Sequence, residues 1–334
     1  MTNHQWRLVA RPSGSVKESD FQWTEEPVAN PADGQVLVRN VYLSLDPTNR
    51  IWMNETDSYL PAVKLGDVMR GGTLGLVEKS KHPGFQEGDI VQSLGGWQEY
   101  LLSDGSNLQK LPRIPGVPLS AWFGALGHIG FTAYFGIYDI GKPKTGETLV
   151  VTAAAGAVGS IAGQIGKIAG CHVVGIAGSA DKCEWITRDL GFDGAINYRT
   201  ENVYEALGSL CPQGIDIDFE NVGGEIFEAV ISRLNINSRI ALCGMISQYC
   251  ADAPSGPRNF AAFIMKRVTC TGFLVTDFAP RFAEATQKIV GWIASGQLKY
   301  RLDVVQGLRG TPLALNKLFD GTNTGKLLVQ LSPE

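Results

Sequence analysis

One run of small residues offers the first chemistry. The apolar stretch Thr148-Leu-Val-Val-Thr-Ala153 passes into Ala154-Ala155-Gly156-Ala157-Val158-Gly159, and a helical pattern follows. This is a dinucleotide fingerprint with Ala154 in place of its first glycine. Gly156 lets backbone approach a pyrophosphate, Gly159 lets the helix pack against the sheet, and Ala155, Ala157 and Val158 complete a turn whose N–H groups face the phosphates. Gly159, Gly163, Gly166 and Gly170 are expected on one stripe of that helix. The same residues also fit a Gly/Ala packing helix or a membrane GxxxG pair. Context favours the turn, because five further strand-like segments follow it.

The neighbouring segments indicate which dinucleotide. An acidic residue about 20 positions past the glycines would bind a ribose 2′-OH. Here Ala177-Gly178-Ser179-Ala180-Asp181-Lys182 places small residues there. Ser179 leaves room for a 2′-phosphate, and Lys182 can pair with it, so NADPH is the expected cofactor. A slipped strand boundary would bring Asp181 to the acidic position, and Lys182 also fits a solvated first-turn lysine. Tyr198 ends the next strand and either covers the adenosine end or is an ordinary strand-end aromatic.

Ligands of such sheets bind beyond the carboxyl ends of the strands. Asn221, Cys243-Gly244 and Phe273-Leu274-Val275 fall there, with Tyr249 in the loop after Cys243. Asn221 brings both a donor and an acceptor for ribose or carboxamide. Cys243 reads as a small hydrophobe. Phe273 to Val275 press on a nicotinamide or simply pack. Tyr249 can donate to a carbonyl that becomes an enolate, or it is a surface tyrosine. The first 170 residues hold no cysteine and only His4, His82 and His128, so no three-ligand zinc site is expected, and no metal. No short-chain dehydrogenase Tyr and Lys pair stands out. The chemistry left is hydride transfer to a conjugated acceptor.

These residues need elements to position them. The first third reads as irregular β, with segments at Gly34–Val41, Gly72–Glu78, Asp89–Gln92 and Gln98–Leu102. Leu119–Ile137 reads as helical. Strands are expected at Thr148–Ala153, His172–Ala177, Gly194–Asn197, Ile215–Phe219, Arg239–Cys243 and Val268–Leu274, alternating with helices as in a doubly wound parallel sheet. A helix over Phe282–Ser295, a short helix over Pro312–Phe319 and a strand over Lys326–Leu331 close the chain, the last returning to the first domain. The expected class is α/β. Of 334 residues, 40 are glycine, and 14 of those lie in the 65 residues from Ile114 to Gly178, which marks that stretch for close backbone packing. A net charge of −4 disfavours nucleic-acid or anionic-membrane binding. The six cysteines include no CxxC pair, and the N-terminus lacks an apolar signal core. A cytoplasmic protein without membrane contact is expected.

Seven motifs together resemble a known family: Tyr42-Leu-Ser-Leu-Asp-Pro, Gly130-Phe-Thr-Ala-Tyr-Phe-Gly, Ala153-Ala-Ala-Gly-Ala-Val-Gly, Phe219-Glu-Asn-Val-Gly-Gly, Leu242-Cys-Gly-Met-Ile-Ser-Gln-Tyr, Gly272-Phe-Leu-Val and Asn323-Thr-Gly-Lys. They span essentially the whole chain. It resembles the zinc-independent medium-chain dehydrogenase/reductases, in the prostaglandin reductase, leukotriene B4 12-hydroxydehydrogenase and alkenal double-bond reductase branch. The resemblance implies a GroES-like β-rich catalytic domain over 1–125, completed by 300–334, and an NADP-binding Rossmann domain over 126–299. It implies NADPH binding by Ala155–Val158, Lys182, Tyr198, Asn221, Cys243 to Tyr249, Phe273–Val275 and Asn323, and a homodimer. Thr48-Asn49, His128-Ile129 and Cys250 depart from the family pattern near its substrate positions. The expected function is NADPH-dependent ene-reduction, with hydride passing to the β-carbon of a small hydrophobic enone or enal and Tyr249 stabilising the enolate. Trp52, Trp122 and Phe123 fit a hydrophobic acceptor or a core. Quinone reduction at the same site and an inactive cofactor-binding protein are the alternatives.

Overall fold

The computed structural model describes residues 1–55, 58–114, 116–251 and 255–334. The chain forms two compact units, Met1–Ala121 with Asp303–Asn323 and Leu327–Glu334, and Trp122–Leu302 with Thr324–Lys326.

The first unit opens with β1 (Thr2–Leu8) and β2 (Phe21–Pro27), paired antiparallel. It continues with β3 (Val36–Ser44), β4 (Thr73–Ser80), β5 (Ile90–Ser93), β6 (Tyr100–Ser103) and β7 (Gln109–Leu111). The second unit holds β8 (Thr148–Val151), β9 (His172–Ala177), β10 (Gly194–Asn197), β11 (Ile215–Glu220), β12 (Leu234–Leu242) and β13 (Thr269–Gly272). β14 (Leu302–Gln306) and β15 (Lys326–Gln330) complete the first sheet, whose order is β14-β15-β3-β4-β5-β7 with β6 also on β3. Trp6, Leu8, Leu43, Met69, Trp97 and Leu327 share an apolar cluster.

The second sheet has the order β10-β9-β8-β11-β12-β13, all parallel. This is the doubly wound order 3-2-1-4-5-6, whose switch point lies between the first and fourth strands, here β8 and β11. One face buries Val150, Val174, Ile176, Ile196 and Ile240 under Phe227, Val230 and Ile231 of the helix Gly224–Arg233.

Several elements differ from the sequence expectation. Leu119–Ile137 is broken into Ala121–Gly124 and His128–Phe135, followed by a wider turn over Gly136–Gly141. The chain folds tightly on itself there. A Cβ on Gly127 would lie 2.2 Å from Trp122 O, and one on Gly130 1.9 Å from Ala125 O. The glycine stripe stops at Gly166, because the helix Ala157–Ile168 ends before Gly170, which adopts φ 85° beyond it. β8 is shorter than Thr148–Ala153, since Thr152 onward belongs to the turn, and β13 is confined to Thr269–Gly272. The expected helix Pro312–Phe319 is two short pieces, Thr311–Leu315 and Lys317–Asp320. β1, β2, β7 and β14 were absent from the sequence expectation.

Candidate functional site

β8 delivers the chain to the glycine turn. Ala153 takes a left-handed φ of 48°, and Gly156 N–H closes back on Ala153 O at 2.8 Å. Gly156 is extended and precedes the helix Ala157–Ile168, in which the first N–H to find an intrahelical acceptor is that of Ser160, on Gly156 O at 3.1 Å. The N–H groups of Val158 and Gly159 therefore lie at the start of the helix, where the macrodipole favours an anion. Gly325 pairs in parallel with Gly156 from the other side of the turn. Among the described residues and apart from its chain neighbours, Ala153 O is the one atom within 4 Å of a would-be Cβ on Gly156, at 3.0 Å, so a phosphate can approach its open side. Gly159 has no such room, since a Cβ would sit 2.5 Å from Ala153 O. This backbone cradle fits the pyrophosphate of a dinucleotide.

At the end of β9, Gly178 lies against the ring of Tyr198, 2.9 Å from where its Cβ would be. Tyr198 directly follows β10 and is 40% exposed, so a ring face is available to a flat ligand group. Ser179 caps the helix Ala180–Glu184, its hydroxyl accepting Lys182 N–H at 3.3 Å. That gives Ser179 a structural reason as well as a place at the expected phosphate. Lys182 is half-buried on the helix that Ser179 caps, and Asp181 is exposed in its first turn. The Arg199 guanidinium carbon stands 5.9 Å from the Tyr198 ring centroid, a second cation at this end that sequence reasoning passed over. A Tyr-Arg pair directly after the third strand was the available signal.

The loops after β11 and β12 meet at the carboxyl end of the sheet. Asn221 N–H donates to Thr152 Oγ1 and its Nδ2 to Thr152 O, both at 2.7 Å, so its amide ties β11 to β8. Cys243 N–H donates to Glu220 O at 2.9 Å. Burial, followed by the Glu220 charge, pushes the Cys243 thiol up to about 12, which keeps it a neutral apolar wall rather than a nucleophile. Tyr249 turns back onto its own loop, where its hydroxyl accepts Met245 N–H at 3.0 Å and lies 3.2 Å from a would-be Cβ on Gly244. Phe273 packs toward Gly136, 2.9 Å from a would-be Cβ there. Leu274 is exposed, and Val275 starts the short helical turn Val275–Arg281. Asn323 is buried in the first unit, with its N–H on Lys317 O at 3.3 Å, immediately before Thr324–Lys326. Trp52, Trp122 and Phe123 are buried side chains.

The structure also brings forward a pair that the sequence hid. Asp218 and Glu220 on β11 are both fully buried. Neither Asp218 carboxyl oxygen has a partner among the described residues, and Glu220 Oε2 has none. Burial raises both carboxyls, Glu220 to about 7 and Asp218 well above the ordinary range, with the Glu220 charge adding to the latter. Among the described residues no group of three or more His, Cys, Asp or Glu is arranged to hold a metal.

Two family models match the chain, "N-terminal domain of oxidoreductase" over residues 4–111 and "Zinc-binding dehydrogenase" over residues 157–291. An NADPH-dependent curcumin reductase of Escherichia coli (strain K12) is 44% identical over 99% of this chain and 97% of its own. A 2-alkenal reductase (NADP(+)-dependent) of Nicotiana tabacum is 39% identical over 100% of this chain and 99% of its own. The crystal structure of CurA from Vibrio vulnificus in complex with NADPH superposes with a TM-score of 0.94 at 44% identity, covering 99% of this chain and 100% of that one. The fingerprint turn, the 3-2-1-4-5-6 sheet and these full-length likenesses lead to one conclusion: the chain belongs to the zinc-independent medium-chain dehydrogenase/reductases, in the branch of the alkenal double-bond reductases.

Proposed function

We propose that the protein is an NADPH-dependent ene-reductase that saturates the C=C bond of α,β-unsaturated ketones or aldehydes. The observation that carries this reading is full-length identity of 44% and 39% to two reductases named for a curcumin and a 2-alkenal substrate, together with the cradle at Gly156. NADPH, when bound, supplies the hydride for the β-carbon. Ala155, Gly156, Ala157, Val158 and Gly159 hold the pyrophosphate through backbone, and Ser179, Lys182 and Tyr198 take the phosphorylated adenosine end. Asn221, Cys243, Gly244, Phe273, Leu274 and Val275 wall the nicotinamide end, and Asn323 adds an amide. Tyr249 donates its O–H to the acceptor oxygen as negative charge develops there. In its hydrogen bond with Met245 N–H the hydroxyl is the acceptor and not the donor, which supports that role. The test is NADPH oxidation against a panel of enones, enals and quinones. Saturated ketone or aldehyde products support the reading, quinone-only turnover replaces it with quinone reduction, and NADPH binding without turnover leaves a non-catalytic protein.

The same reading takes residues 126–299 as the cofactor domain and 1–125 with 300–334 as the catalytic one, a division that the two contact units support. It also takes the protein as a cytoplasmic homodimer. Free cysteines throughout support a reducing compartment. An edge strand, β13, with every residue exposed, and the exposed Phe260, Ile264 and Met265 in the same unit support pairing between copies, since open edges and large apolar side chains are ordinarily covered.

A further inference from the structure

The contacts expected of the β11 and β12 loops hang from one residue that makes none of them itself. Glu220 ends β11, and its main-chain oxygen accepts Cys243 N–H at 2.9 Å and Gly244 N–H at 3.1 Å. Its carboxyl turns back on its own loop, where Oε1 accepts the N–H groups of Val222 and Gly223, the latter at 2.7 Å. Those two bonds set a loop in which Gly223 and Gly224 take φ of 76° and 60°. The loop then holds the next one. Asn221 O accepts Ile246 N–H at 3.0 Å, and Val222 O accepts Ser247 N–H at 3.0 Å and the Ser247 hydroxyl at 2.6 Å. Asn221, Cys243, Gly244 and Tyr249 are therefore all fixed within two hydrogen bonds of Glu220.

A neutral side chain could accept the same two N–H groups. A carboxylate with its second oxygen buried and unpartnered is costly, so its charge needs a function beyond filling the turn. Facing it are Asp218 from its own strand, the Thr152 hydroxyl from the turn after β8, the Cys243 thiol just beyond β12 and the Cys270 thiol from β13, none of them a cation.

We propose that Glu220 is a positioning residue of the cofactor site, whose carboxylate draws in the Val222 and Gly223 N–H groups and through them sets both loops that receive the nicotinamide end. The proposal rests on the NADPH reading above. Burial lifts the carboxyl to about 7, so the charge is gained across neutral pH. Glutamine resembles the protonated side chain and cannot gain that charge.

The experiment measures NADPH affinity by fluorescence across pH for wild type, Glu220→Gln and Asp218→Asn. Wild type and Glu220→Gln bind alike at low pH. By about pH 8.5 wild type binds roughly tenfold more tightly, the difference between a charged and a neutral acceptor. The titration of the cofactor's own phosphate is common to all three proteins. Asp218 stays neutral while Glu220 ionises, so Asp218→Asn keeps the rise in affinity where it is in wild type, and this variant assigns the rise to Glu220 rather than to its neighbour if Glu220→Gln does not fold. Parallel curves for wild type and Glu220→Gln, or a rise lost in Asp218→Asn, overturn the proposal and leave the cofactor reading intact. Wild-type protein that binds no NADPH overturns that reading, and the proposal with it.

Discussion

Tyr249→Phe separates two roles that the structure gives to one hydroxyl. The phenol accepts Met245 N–H at 3.0 Å, so its removal loosens the Gly244–Tyr249 turn. A neutral hydrogen bond of this kind contributes about 0.5–1.5 kcal/mol. Even if all of that fell on cofactor binding, NADPH affinity would drop by no more than about tenfold. An oxyanion donor is worth far more, because losing one costs about 10² to 10³ in kcat. Tyr249→Phe is therefore expected to lower kcat for an enone by at least ~100-fold, with the Kd for NADPH changed by less than about tenfold. Steady-state turnover and fluorescence titration on the same preparation give both numbers, and a melting curve shows that the variant is folded. A kcat reduced by less than about tenfold, with weaker NADPH binding, would assign the phenol to the loop and remove it from the chemistry.

Other perturbations follow from the same geometry. Lys182→Ala is expected to raise the KM for NADPH about tenfold or more while leaving that for NADH nearly unchanged, as a charge-assisted contact to the 2′-phosphate requires, and equal effects on both would defeat the assignment. Gly163→Ala would place a Cβ 1.9 Å from the buried Phe192 ring, so a loss of about 1–3 kcal/mol in denaturant unfolding is expected, partly recovered by Phe192→Leu. The raised Asp218 and Glu220 carboxyls bind protons more tightly folded than unfolded. Their contribution to stability is present at acid pH and lost as pH rises from the ordinary carboxylate range through about 7. Unfolding free energy should then fall with pH more steeply in wild type than in Asp218→Asn, and equal slopes would show that the pair does not hold its protons. Ile264→Asp should shift sedimentation toward the monomer if the exposed Phe260, Ile264 and Met265 join two copies.

The parallel sheet was legible because β8 and β9 are short apolar runs, the first ending at the glycine turn, and the later strand-like segments alternate with helical ones. Its order then follows from the handedness of crossover connections. β1 and β2 escaped notice because Thr2–Leu8 and Phe21–Pro27 mix polar and aromatic residues, and only their register, with Trp6 opposite Trp23, makes a pair of them. The broken helix near residue 125 could not be foreseen, since Gly127 and Gly130 matter there through contacts with carbonyls that only the folded chain provides. Cofactor residues on motifs were readable one by one. Glu220 was not, because the strand Ile-Asp-Ile-Asp-Phe-Glu carries three acids, and burial, a tertiary property, separates Asp218 and Glu220 from the half-buried Asp216, whose oxygens accept Thr148 N–H and Asn235 Nδ2. Ser179 and Tyr249 show the converse: spacing suggested ligand contacts, and the structure adds a cap and a loop anchor to each.

Hydride is expected to reach the β-carbon of a conjugated acceptor. NADPH deuterated at nicotinamide C4, prepared in each stereochemical form and incubated with protein and an aryl or alkyl enone, tests it directly by mass spectrometry and NMR of the product. The expected product is a saturated ketone with deuterium at the β-carbon from one form of the cofactor. An allylic alcohol with deuterium at the carbinol carbon, or label absent from the product, would contradict it.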